Sequence, residues 1–206
     1  MTASAAQAPW FLARCTQFAV AAAAGGELVR ALKAHAHLLH PATTTASDFG
    51  QASMIFVNAM TAAVVLFLLW FARCWRNAGL LSPGAVRGSV AWAVVAWLIP
   101  VMNLWAPRGL VLDVQRASDP GGGAEGHGNA LVNVWWAAWA GHAALSLAAM
   151  NLGGGTSLPL LVASEGLDLL AAVLAIAVIQ RITSRQAAAL RSVTPVPAPA
   201  GLPHAS

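Results

Sequence analysis

Glu27, Arg30, Asn58, His142, Glu165 and Asp168 each interrupt a long apolar run, where a polar side chain is hardest to accommodate. An ionisable group in hydrocarbon is costly and ordinarily faces a partner or a cavity, so these residues are the first candidates for chemistry. Glu165 and Asp168 are three residues apart and share one helix face. Two carboxylates so close in a low dielectric cannot both stay ionised without a cation. Arg30 and His142 are the available partners, and the expected bond joins Arg30 to one carboxylate across the first and last apolar runs. Such a set suits three uses. It can be a buried polar network that fixes helix packing, a proton, ion or transport site on Glu165 and Asp168, or an enzymatic site built on His142, Glu165 and Asp168. The first asks least of the residues.

His35, His37 and His40 form an H-x-H-x-x-H run that could bind a transition metal. The spacing matches no particular site, and histidines beside a bilayer interface are more often solvated. Gly121–Gly123 and Gly153–Gly155 lack the strand, helix and lysine of a phosphate loop. The chain holds no H-E-x-x-H, C-x-x-C or G-x-S-x-G, and nothing in it calls for a cofactor. Cys15 and Cys74 both fall toward the cytoplasmic side of the topology below, so no disulfide is expected.

The elements that must position these residues are membrane helices. With 58% hydrophobic and 9% charged residues and a mean hydropathy of +0.67, the 206-residue chain has almost no polar surface to offer water. The net charge of +4 comes mostly from arginines flanking apolar runs, a pattern of membrane orientation. The interleaved basic and aromatic residues of a nucleic-acid surface are absent. The N-terminus reads neither as a cleaved signal, since Arg14 lies inside the candidate, nor as a lipoprotein signal at Cys15.

Residues 10–32 give the first expected span, and 51–75 the clearest, running into Arg73 and Arg76. Residues 34–50, with Pro41 and a threonine cluster, read as a loop. Residues 130–152 open with Trp135, Trp136 and Trp139 as an interfacial aromatic belt, and 158–182 run into Arg181, Arg185 and Arg191. Between them, Trp92 to Pro107 is an apolar run cut by Pro100 and closed by Asn103 and Pro107. Pro100 removes a backbone donor in mid-helix, and the Asn103 side chain is placed to satisfy a freed carbonyl. Residues 108–118 suit a short amphipathic helix at the membrane surface, with Leu110, Val111 and Val114 on one face. Residues 119–129 read as a flexible linker, and 193–206 as a Pro-rich disordered tail after a multi-pass domain over 1–192.

Counting arginines orients the chain. If the regions after the second span, after Pro107 and after the last span all face the cytoplasm, the Pro100 segment enters and leaves on one side. The expected fold is therefore all-α: four transmembrane helices plus a Pro-broken re-entrant or kinked element, with both termini cytoplasmic. Five spans is the alternative. In this topology His142, Glu165, Asp168 and Asn58 lie roughly 10 to 15 Å below the outer surface, and Glu27 and Arg30 slightly above them. Small-residue stretches at 19–26 and 137–144 suit close helix packing, with a homo-oligomer or a membrane-protein partner as their other use.

The order Trp70, Arg73, Arg76-Asn77, Ser82-Pro83-Gly84, Trp92, Trp97, Pro100-x-x-Asn103-Leu104-x-x-Pro107, Arg116-Ala117-Ser118 and Trp135-Trp136 resembles the bacterial membrane family called domain of unknown function 4328. The resemblance covers about Leu66 to Leu152. It implies a small multi-pass helical membrane protein, common in actinobacteria, with no established activity, so it carries over no functional residue. Many members have a longer cytoplasmic N-terminal tail, whereas nine residues precede Trp10 here, so no tail-dependent role is implied. The function expected is a structural, accessory or interaction role in the plasma membrane, with a small transporter and a membrane-embedded enzyme as rivals.

Overall fold

Long runs of Ala, Leu, Val and Trp, punctuated by Pro and Gly, leave the backbone little choice but helix. A computed structural model describes residues 7–40, 46–119, 125–151 and 158–193. Its elements are α1 (Trp10–Leu39), α2 (Ala46–Leu81), α3 (Val90–Val95), a 3-10 turn (Met102–Leu104), α4 (Ala106–Ala117), α5 (Glu125–Asn151) and α6 (Leu158–Val193). No strand occurs among the described residues. The expected tail beyond Val193 lies outside them.

Several boundaries differ from expectation: α2 already starts at Ala46, within the stretch read as a loop, and runs past residue 75 to Leu81. Residues 34–39 continue α1, because Ala, His and Leu are all compatible with helix and the break comes only as Pro41 approaches. The expected linker also shortens, since Glu125 to Asn129 are already helical.

The segment around Pro100 is broken. Ser89 caps α3 by accepting from the Trp92 amide at 3.1 Å. Pro100 has no amide hydrogen to donate to Ala96 and disfavours helical backbone just before it, and α3 ends at Val95 after six residues. Tight turns satisfy much of the freed backbone: Trp97 N donates to Val94 O at 3.2 Å, and Leu98 N to Val95 O at 2.9 Å. Asn103 contributes its backbone amide, bonded to Ile99 O at 2.8 Å, where its side chain had been expected to act. Pro107 opens α4 where it was expected to close the broken segment; it occupies the first helical turn, which needs no proline donor.

The core forms where α2, α4, α5 and α6 meet. Trp70, Phe71, Cys74 and Ala78 of α2 pack with Val111 and Val114 of α4, Val132 of α5 and Ile179 and Ile182 of α6. The apolar face of α4 is thus buried in the protein and not laid on lipid, because the other helices leave it a groove. Gly128 leaves room for the Gln115 amide, since a Cβ there would meet Gln115 Nε2 at 2.2 Å and push that side chain aside. Arg108 Nε also donates to Asn133 Oδ1 at 2.9 Å, tying α4 along the start of α5.

α1 packs on α2 and α6, and α5 on α6. Small residues allow the first contact: Ala19, Ala23 and Ala63 form a second core, and Gly26 lies where a Cβ would sit 3.4 Å from Phe56 Cα. Cys15 and Cys74 are free thiols.

Candidate functional site

α1, α5 and α6 bring Glu27, Arg30, His142, Glu165 and Asp168 to one end of the bundle. Glu165 lies within electrostatic reach of Glu27, Asp168, His142 and Arg30, and Asp168 within reach of His142 and Glu27. The bonds inside the set differ from those expected. Arg30 pairs with Glu27, one turn back on its own helix, with Nε to Oε2 at 2.8 Å and a second contact from Nη2 to Oε1. The physical reason is proximity: an i,i+3 carboxylate is already in reach without closing the gap to α6. Arg30 also lies over the Phe56 ring, 5.4 Å from its centroid.

His142 joins α5 to α6 through serines. Its Nδ1 lies 3.0 Å from the Ser164 carbonyl oxygen, which can only accept, so a bond there requires the proton on Nδ1. Ser164 Oγ is 3.2 Å from both His142 Nδ1 and Ser146 Oγ. Glu165 Oε2 is buried without a hydrogen-bond partner among the described residues. Asn58 is exposed on α2 and takes no part in the cluster.

His35 and His37 are on α1 and His40 is just past its end, and no group of three His, Cys, Asp or Glu among the described residues is arranged to hold a metal ion. A helical H-x-H points its two rings to different sides, which separates His35 from His37.

Toward the bundle's middle a cavity of about 250 Å³ opens between α1, α2, the Pro100 turns, α5 and α6. Asp168 is the one member of the ionisable set on its wall, which also includes Asn103, Trp97, Trp135, Trp136 and Trp139. The tryptophans expected as an interfacial belt, Trp135, Trp136 and Trp139, thus line this cavity together with Trp97. Trp136 and Trp139 stack at 4.7 Å, Trp135 meets Trp136 edge-on at 5.8 Å, and Trp97 lies 6.3 Å from Trp135.

The other end of the bundle holds a polar layer that sequence reasoning missed. Trp70 Nε1 donates to Thr183 Oγ1 at 3.0 Å, Asn77 Nδ2 to Gln186 Oε1 at 3.2 Å, and Gln186 Nε2 to Cys74 O at 2.8 Å. Arg185 pairs with Asp119 at the end of α4. Thr183 and Gln186 share a helix face amid the arginines of α6, which is the signal that could have revealed them.

The family described as Domain of unknown function (DUF4328) matches residues 35–184, nearly three quarters of the chain. The chain belongs to this family. The DUF4328 match extends well beyond the 66–152 stretch that carries the sequence resemblance, and takes in α2 through most of α6. The Glu27–Arg30 pair falls before it, while the Pro100 turns, the tryptophans, His142, Glu165 and Asp168 fall within it. No curated protein and no solved structure matches this DUF4328 chain. Two of its helices, within Phe49–Leu81 and Leu158–Val193, are long and apolar enough to cross a membrane.

Proposed function

We propose that this DUF4328 protein is a multi-pass protein of the plasma membrane with a structural, accessory or interaction role. In this reading α1, α2, α5 and α6 cross the bilayer, both termini are cytoplasmic, and the Pro100 element enters and leaves from the cytoplasm. The observation that carries the reading is the break itself: a six-residue helix followed by turns is too short to span 30 Å of hydrocarbon. Trp97 packs on Phe67, with ring centroids 4.6 Å apart. Phe67 is nine residues before Arg76, so the element reaches roughly 14 Å past the arginine level, about half the hydrocarbon depth.

The outer surface supports the membrane reading. A core helix of a water-soluble protein would be mostly covered, yet only 17% and 22% of the two most apolar windows are buried within the chain. Phe11, Phe18, Met54, Ile55, Leu147 and Val173 are among the large side chains left outward. A reporter that is active only outside the membrane, inserted after Gly122, should be silent, and one inserted after Thr43 active. An active Gly122 insertion would replace the re-entrant element with a fifth span.

A second reading, a small ion- or proton-conducting protein, is favoured by one observation: Asp168 lies on the wall of a half-open cavity between the helices. The enzymatic reading has less support, because His142 and Glu165 are not on that wall.

A further inference from the structure

We infer that the cavity between the Pro100 turns, α5 and α6 is a binding site for a small organic cation of the quaternary ammonium class, held by the Asp168 carboxylate and the surrounding indole rings. The inference goes beyond the topological reading and does not depend on it. Indole is the strongest of the aromatic partners for a positive charge, and quaternary ammonium groups are recognised by clusters of such rings. Here Trp97, Trp135, Trp136 and Trp139 line one cavity. Asp168 puts a carboxyl group on the same wall, where a bound cation would favour its ionised form, and the Glu27–Arg30, Asp113–Arg116 and Asp119–Arg185 ion pairs do not use it.

The remaining wall is Ala, Val, Leu, Met and Phe, with Asn103 as the second polar group. A strongly hydrated cation such as Na⁺ would gain few oxygen ligands there, whereas an alkylated ammonium gives up little hydration and gains contact with the apolar wall. The volume of about 250 Å³ equals that of roughly eight waters, enough to admit the cationic head of benzyltrimethylammonium.

The test is equilibrium dialysis of radiolabelled benzyltrimethylammonium against the full chain, purified in detergent. Saturable binding is expected. Asp168→Asn should weaken it about tenfold or more, Trp139→Leu should weaken it about fivefold, and Asp168→Glu should retain it. Circular dichroism and melting of each variant separate lost binding from lost folding. Repeating the dialysis in discs of phosphatidylglycerol and of phosphatidylcholine identifies the source of the ammonium: competition by the second lipid assigns the site to a choline headgroup, and its absence to a free cation. No saturable binding, or an Asp168→Asn protein that folds and binds as tightly as the parent, would overturn the proposal. Neither result would bear on which side of the membrane α5 begins.

Discussion

Arg30 bonds to Glu27, three residues earlier on α1, and leaves the carboxylates of α6 to other company. The Glu27 side chain is 10% exposed and that of Arg30 32% exposed, so the acid is the more deeply committed partner. Removing the arginine would strand a nearly buried charge, whereas removing both would strand nothing. Arg30→Ala is therefore expected to lower stability in detergent by about 2 kcal/mol, less than for a fully buried pair because Arg30 reaches solvent. Arg30→Ala combined with Glu27→Gln should recover most of the loss, and combined with Asp168→Asn should recover little. Thermal melting of the four proteins checks this order.

At the opposite end, Trp70 and Thr183 are both fully buried and bonded to each other at 3.0 Å. Thr183→Val keeps the shape and removes the acceptor, leaving an indole N–H without a partner. The expected cost is about 1 to 3 kcal/mol. Trp70→Phe in the same background should show a smaller additional loss than in the parent, since the donor is then absent as well. Additive losses in this double-mutant cycle would mean that the bond contributes nothing.

Asp113 lies on α4, outside the spans. Burial pushes its carboxyl above the ordinary 3.8, while Arg116 and Arg87 pull the other way. An acid whose folded value is raised is disfavoured in its charged form by folding. Its cost is thus present at neutral pH and is relieved as pH falls through the raised value. Asp113→Asn should melt higher than the parent at pH 7 and show a flatter dependence on pH on the acid side. Loss of the Arg116 contact subtracts little, since those side chains are 50% and 34% exposed. A lower melting temperature at pH 7 would mean the ion pair outweighs burial.

The long helices were legible because their apolar runs end in arginines and prolines. The Pro100 break was legible because proline's missing donor acts wherever it falls. The end of α1 was not, since Ala34 to Leu39 are acceptable in helix or loop and only the chain's path decides. Depth along the helices suggested a group that included Asn58, which the fold leaves outside on α2, and depth did not give the bonds among the others. Glu27 and the α6 carboxylates are chemically equivalent partners for Arg30, and the i,i+3 spacing of Glu27 and Arg30 on α1 was the local signal for the bond that forms. The tryptophans carried a signal that permitted two answers. Trp135, Trp136 and Trp139 suit an interface as well as a cavity, and in the fold they line the cavity. Ser146 and Ser164 gave no warning, because a serine in a helix usually bonds its own backbone.

The central claim is that the Pro100 element begins and ends on one side of the membrane. The most direct measurement uses two single-cysteine proteins, Ala85→Cys and Gly122→Cys, in a background with Cys15 and Cys74 replaced by alanine. Each is exposed to a membrane-impermeant maleimide in intact cells and in inverted vesicles. Both cysteines should resist labelling in cells and react in inverted vesicles, because both flank the element on the cytoplasmic face. If Gly122→Cys reacts in intact cells while Ala85→Cys does not, the element crosses the bilayer and the account is contradicted.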